Sequence, residues 1–124
     1  MPSLIQKRSY GSVKVFWLDR DRAVSLLRER AERLVRERKD VLAVILFGSL
    51  AEGRATPGSD ADILILLRSS DVRFIDRSLV FSSYFDHAGM PVEIFCYTEE
   101  EAGSVPMARK ARESGLVLAR DNPA

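Results

Sequence analysis

Sixteen consecutive residues hold most of the groups in this chain that could do chemistry: Phe47-Gly48-Ser49-Leu50-Ala51-Glu52-Gly53-Arg54-Ala55-Thr56-Pro57-Gly58-Ser59-Asp60-Ala61-Asp62. Gly48-Ser49 ends the apolar run from Val41 to Phe47, so a buried strand stops there and a loop or helical turn begins. Backbone N–H groups at such a turn favour an anion. Glycine lets a phosphate approach the backbone closely, and Ser49 adds a hydroxyl donor. Asp60 and Asp62 stand two apart at the entrance of a second apolar run, residues 63–67. Period-two geometry sends both side chains to one face. Two crowded carboxylates repel unless a cation sits between them. Oxygen-only ligands suit Mg²⁺ or Mn²⁺, with substrate phosphates and water completing the shell.

Each piece taken singly has a plainer explanation. A Gly-Ser after a strand is usually a turn, and an Asp-x-Asp is often a solvated, turn-capping pair. Two facts shift the balance. Asp62 leads straight into a fully apolar strand, a costly place for an unpaired charge. A third carboxylate, Glu93, lies in the run 92–97, flanked by Val92, Ile94 and Phe95, where a charged residue generally has a partner.

The elements that must position these groups alternate between strand and helix. Residues 12–18 read as a strand, with Val13, Val15 and Trp17 on one face and Lys14 and Phe16 on the other. Asp19 or Asp21 caps a helix over 22–39, where Val24, Leu27, Ala31 and Leu34 recur at spacings of three and four. Glu29–Arg33 and Glu32–Arg36 are expected i,i+4 pairs on it. The apolar runs 41–47 and 63–67 are buried strands, and 92–97 is a third. A helix is expected over 71–86 with Phe74, Ser78, Phe81 and Phe85 along its inner face. Acids in the first turn mark a helix start at Thr98-Glu99-Glu100-Glu101. A helix at 107–114 and a strand at 116–119 close the fold. The expected class is α/β (α+β), a single mixed β-sheet flanked by helices. One domain spans residues 1–124: an N-terminal strand and helix (12–39), a catalytic core (41–97) and a C-terminal helix and strand (99–120).

The motif resembles the signature of the DNA polymerase β-like nucleotidyltransferases, in which Gly-Ser, ten residues and Asp-x-Asp are followed by a third acid on a neighbouring strand. Here the ten residues are Leu50 to Ser59. The chain looks like a minimal nucleotidyltransferase, and the match runs from about Arg22 to Tyr97. The resemblance implies that Gly48 and Ser49 hold the β- and γ-phosphates of a nucleoside triphosphate, with ATP the expected substrate. It implies that Asp60, Asp62 and Glu93 hold divalent ions, Mg²⁺ or Mn²⁺, and that Glu93 helps deprotonate an acceptor hydroxyl. Two departures stand out. The third acid is more typically Asp, and the position of Glu52 is often basic, so Arg54 becomes the candidate phosphate contact. Within the family one setting is a toxin–antitoxin pair, where the minimal nucleotidyltransferase modifies or simply binds a helical HEPN-type partner. Two functions follow: an enzyme moving AMP to a hydroxyl, or a non-catalytic antitoxin acting by complex formation. A homo-oligomer is left open.

Bulk composition narrows the rest. The chain has 124 residues with 46% hydrophobic, enough for one core. No apolar run nears the ~20 residues of a membrane span. Cys96 is the only cysteine, which excludes an internal disulfide and fits a cytoplasmic location. Net charge is +5 over residues 1–40 and −4 over 41–124. No basic run carries interleaved aromatics, so nucleic-acid binding has no direct sign. His87 reads as a helix-end residue, Cys96 as core, and Tyr84 and Tyr97 as ordinary tyrosines.

Overall fold

The fold comes from a computed structural model that describes residues 4–10 and 13–121, with backbone alone at 9–10 and 13–16. The elements run β1 (Ile5–Tyr10), β2 (Val13–Leu18), α1 (Arg20–Glu37), β3 (Val41–Phe47), α2 (Gly48–Ala51), β4 (Ala61–Leu67), α3 (Phe74–Phe81), a 3-10 turn (Ser82–Phe85), β5 (Val92–Thr98), α4 (Glu99–Ala102), α5 (Pro106–Ser114) and β6 (Leu116–Arg120). The main sheet has the order β5-β4-β3-β6. β3 pairs antiparallel with both β4 and β6, whereas β4 and β5 are parallel. The expected mixed sheet flanked by helices is therefore present.

Strand parity divides the core. Val44 and Leu46 of β3, with Ala61, Ile63, Ile65 and Leu67 of β4, face α1 and its Leu27, Ala31 and Leu34. Ala43 and Ile45, with Leu64 and Leu66, face Ala102 of α4 and Ala108 and Ala111 of α5. Alanines on the second layer let α5 lie close. Gly115 completes that approach, because a Cβ there would meet the Ala111 carbonyl oxygen at 2.4 Å and Ile45 Cγ2 at 2.6 Å. α1 starts where Asp19 caps it, accepting from the Arg22 N–H at 3.2 Å.

Several sequence expectations need correction. β1 was not foreseen: Gln6, Lys7 and Arg8 interrupt its alternation, and pairing with β2 in a two-stranded ribbon supplies what the pattern lacks. Ser12 and the side chains of Val13, Lys14, Val15 and Phe16 lie outside the described residues. Glu29–Arg33 and Glu32–Arg36 are not formed among the described residues. Arg33 turns to Glu37 (2.9 Å), which also accepts from the Tyr84 hydroxyl (2.9 Å). The helix over 71–86 is shorter, and its change to a 3-10 turn breaks the expected stripe. Phe81 and Phe85 are buried, but Phe74 is 47% exposed and lies against Tyr97, ring centroids 5.0 Å apart.

Beside Phe81, the side chain that α3 buries is Arg77. Its guanidinium donates to the Val72 carbonyl (3.0 Å) and to both oxygens of Glu101 (2.5 and 3.3 Å). Glu101 in turn accepts from the Thr98 N–H and closes the capping box of α4. The Arg77 guanidinium, foremost, and the Thr98 N–H pull the Glu101 carboxyl down to about 2. A depressed acid adds stability above its unfolded value, and that stability is lost as pH falls through the folded one. Native stability should therefore decline between about pH 4.5 and pH 2 in urea titrations. Glu101→Ala should cost ~1–2 kcal/mol at pH 7, because it removes one acceptor of a buried guanidinium that keeps the Val72 and Cys96 carbonyls, and one half of the capping box, while the exposure of Glu101 screens the pair. A cost below ~0.5 kcal/mol would show that the pair contributes no more than a surface contact.

Candidate active site

The motif sits where β3 ends. Phe47 is the last residue of the strand, and Gly48 turns the chain into α2 with φ +76°. That left-handed conformation favours glycine. A second reason is spatial, since a Cβ on Gly48 would lie 2.3 Å from Asp62 Oδ2. The Asp62 carboxylate thus rests on the bare Cα of Gly48. α2 is held from the other side by Arg20, which donates to the carbonyls of Leu50 (2.9 Å) and Ala51 (3.0 Å), while Leu50 plugs the core. In the first turn of a helix the N–H groups lack intrahelical acceptors, and Ser49 and Leu50 present theirs there. Gly53, with φ +75°, reverses the chain after α2, and Arg54 N–H bonds back to the Ser49 carbonyl (2.8 Å).

The loop returns through a turn tied by Thr56 and Ser59. The Thr56 N–H donates to Ser59 Oγ, and the Ser59 N–H to the Thr56 carbonyl, both at 2.9 Å. This turn delivers Asp60, exposed, immediately before β4. Asp62 is the second residue of β4 rather than a residue ahead of the strand. Sheet register then builds one row: Phe47 is opposite Asp62, and Asp62 is beside Glu93 in the parallel pair. Parity puts all three on the face that carries α4 and α5. The next row on that face is Ile45, Leu64 and Phe95, and the Phe47 and Phe95 rings meet at 5.6 Å.

Electrostatics binds the acids into one group. The Asp62 carboxyl is pushed up by burial first, then by the negative charges of Glu93 and Asp60. Glu93 itself is exposed on an edge strand, so the enclosed setting expected from its apolar neighbours is absent. An edge strand lets its first residues face water. Among the described residues no three carboxylate, histidine or cysteine side chains close into a metal-holding cluster. The donor set nonetheless fits a hard divalent cation: all-oxygen ligands whose mutual repulsion a cation would relieve. Asp62 with Asp60 or Glu93 would provide the one or two carboxylates that such an ion takes from protein.

Beside this row lies a cleft of about 320 Å³ between α2 and α5. Phe47, Gly48, Ala51, Glu52 and Arg54 form one wall, and Met107, Lys110 and Ala111 form the other. Arg54 is exposed and paired with Glu52, whose carboxyl that guanidinium lowers, with Lys110 adding to the same direction. The sequence did not disclose Arg20 or Lys110. Neither belongs to a motif; Arg20 reaches the carbonyls of α2 from the start of α1, and Lys110 lines the cleft from α5. The remaining singled-out residues stay outside it: His87 is exposed in a left-handed turn (φ 58°), and Cys96 is buried with its thiol pushed up to about 12.

Comparisons with known proteins agree with the fold. No curated protein matches the chain. A crystal structure from Sulfolobus solfataricus, described as a candidate nucleotidyltransferase, superposes with a TM-score of 0.62 at 22% identity, covering 82% of this chain and 83% of that one. A toxin–antitoxin structure with AMP-PNP gives a TM-score of 0.50 at 19% identity, covering 85% of this chain and 76% of that one. At such identities the likeness establishes the shared fold. The family model of the nucleotidyltransferase domain matches residues 27–118, a span that contains Gly48, Ser49, Asp60, Asp62 and Glu93. The chain belongs to the nucleotidyltransferase domain family.

Proposed function

We propose that the protein transfers AMP from ATP to a hydroxyl acceptor, with Asp60, Asp62 and Glu93 as the catalytic acids and Gly48 and Ser49 at the phosphates. The observation that carries this reading is the row in which Asp62 lies on Gly48 and beside Glu93. Gly48 and Ser49 present backbone donors and a hydroxyl to the phosphates, and the bare Gly48 lets the Asp62 carboxylate lie against that turn. Asp62 and Asp60 face the α-phosphate. Glu93, solvated and at the open edge, takes the proton of the acceptor hydroxyl. The acceptor oxygen bonds to the α-phosphorus, the bond to the β-phosphate oxygen breaks, and pyrophosphate leaves. A bound Mg²⁺ or Mn²⁺ would supply positive charge against the entering and leaving oxygens.

The acceptor proposed is a hydroxyl on a partner protein of the helical HEPN type. The similarity to a toxin–antitoxin structure supports a protein partner. So does α3, which leaves Ile75 and Leu79 more than 70% exposed. These two observations equally favour the second reading, a module that neutralises its partner by binding alone.

Two measurements test the proposal. Calorimetry should show ATP binding weakly in chelator, because its phosphates then face three carboxylates, and at least tenfold more tightly with Mg²⁺. Equal affinity in both conditions would rule out the ion site. Incubation with α-labelled ATP, Mg²⁺ and the product of the adjacent reading frame should place label on that protein.

A further inference from the structure

β5 is an edge of the main sheet, and its outward backbone groups differ in occupancy along its length. The Ala61 N–H donates to the Pro91 carbonyl at 2.8 Å. In the parallel ladder residues 93, 95 and 97 therefore bond to β4, and residues 92, 94, 96 and 98 turn their backbone groups outward. The Arg77–Glu101 pair occupies two of these outward groups. Arg77 donates to the Cys96 carbonyl (3.4 Å), and the Thr98 N–H donates to the Glu101 carboxylate (2.8 Å). The buried guanidinium of α3 thus helps to close the far half of the edge. The near half is open: among the described residues no hydrogen bond reaches the outward groups of Val92 and Ile94. Between those two stands Glu93, exposed. Unpaired edge groups are a template for another strand.

Taking the nucleotidyl-transfer reading as its basis, we propose that the acceptor enters as an extended peptide segment, paired antiparallel with Val92 and Ile94, with a serine or threonine opposite Glu93. A strand bonded to those outward groups has its middle residue facing Glu93 in a non-hydrogen-bonded pair. The two Cα atoms then lie about 4.5 Å apart, with both side chains on one face of the sheet. At that spacing a short hydroxyl side chain keeps its oxygen beside the carboxylate, on the face that carries Asp62. Glu93 takes the hydroxyl proton, the oxygen bonds to the α-phosphorus, and pyrophosphate leaves. Main-chain bonds give affinity, and the position opposite Glu93 selects the residue. A second copy of this chain fits the edge poorly, because the same pairing sets Glu93 directly against Glu93, and like charges there repel. The Arg77 contact ends the segment before Cys96.

The experiment measures AMP transfer from α-labelled ATP in Mg²⁺ to three acceptors. They are a heptapeptide of alternating valine and threonine, the same peptide N-methylated at its valines, and glycerol, which needs no strand. The parent chain should label the plain peptide at least about tenfold faster than the methylated one, the loss expected for two backbone hydrogen bonds. Ile94→Pro removes an outward N–H that the ladder to β4 does not use, a place where an edge strand tolerates proline. That variant should still label glycerol and lose the plain peptide. Equal labelling of the two peptides by the parent would overturn the proposal. So would parental labelling of the plain peptide by Ile94→Pro, or glycerol labelled with neither peptide. If Ile94→Pro labels nothing, its fold has failed, and the two peptides on the parent decide. A parent dimer that Ile94→Pro dissociates would put a second copy on the edge instead. A parent chain that labels neither glycerol nor peptide would bring down the nucleotidyl-transfer reading itself.

Discussion

Asp62→Asn is expected to lower nucleotidyl transfer by about 10²–10³-fold or more while leaving the fold intact and more stable at neutral pH. The substitution keeps shape and volume and removes one negative charge from the acidic row. Charge stabilisation in the transition state is the main term for this chemistry, which sets the size of the activity loss. The gain in stability follows from the raised Asp62 carboxyl, whose cause is first its burial, then Glu93 and Asp60. A folded acid with a raised pKa holds its proton more tightly than the unfolded chain does. Its ionisation therefore costs stability, fully so above the raised value and not at all below the ordinary carboxylate range. In chelator, Asn at this position should raise the urea midpoint at pH 7, and the advantage should vanish in acid. The same variant separates the two functions. An enzyme would leave it bound to its partner yet unable to modify or restrain it. Full protection in a co-expression growth assay, with no labelling by either form, would establish the binding-only module.

Gly48→Ala should combine a modest structural cost with a large catalytic one. An alanine at φ +76° is strained by about 1–2 kcal/mol. Its methyl would also collide with Asp62 Oδ2, the flexible end of a side chain, which can swing away cheaply. What it swings away from is the position that the proposed transfer needs. A displacement on the ångström scale costs on the order of 10²-fold in rate. Unfolding in urea and labelled transfer, measured on the same preparation, check the pair of effects. Retention of full transfer would show that Asp62 does not need its place on Gly48.

What the sequence made legible was local. Gly48-Ser49 and Asp60-x-Asp62 could be found because their spacing is fixed by a strand, a turn and a strand, all within one continuous stretch. β3, β4 and β5 announced themselves as apolar runs, and Asp19 and Thr98 as caps. The losses came wherever tertiary contact overruled local pattern. β1 forms because β2 pairs with it, not because its own residues alternate. Phe74 was placed in the core by periodicity, but Arg77 takes the buried position, since Glu101 and two backbone carbonyls satisfy its guanidinium there. Glu93 was expected to be enclosed by its apolar neighbours, and it is exposed. That exposure depends on β5 being the edge of the sheet, and strand order is not written in hydropathy. Arg20 and Lys110 carry no local mark at all.

The edge position of β5 has one further consequence. β4 flanks it on one side only, so among the described residues no further strand stands beside Glu93. Bulk water therefore has the same access to Glu93 as any alcohol. For the proposed chemistry this makes idle turnover the default: a nucleotide held without its acceptor would be slowly hydrolysed to AMP. Discrimination between water and substrate then belongs to whatever surface arrives with the hydroxyl and closes the open side. Fidelity in such an arrangement is a property of the pair of molecules and not of this chain.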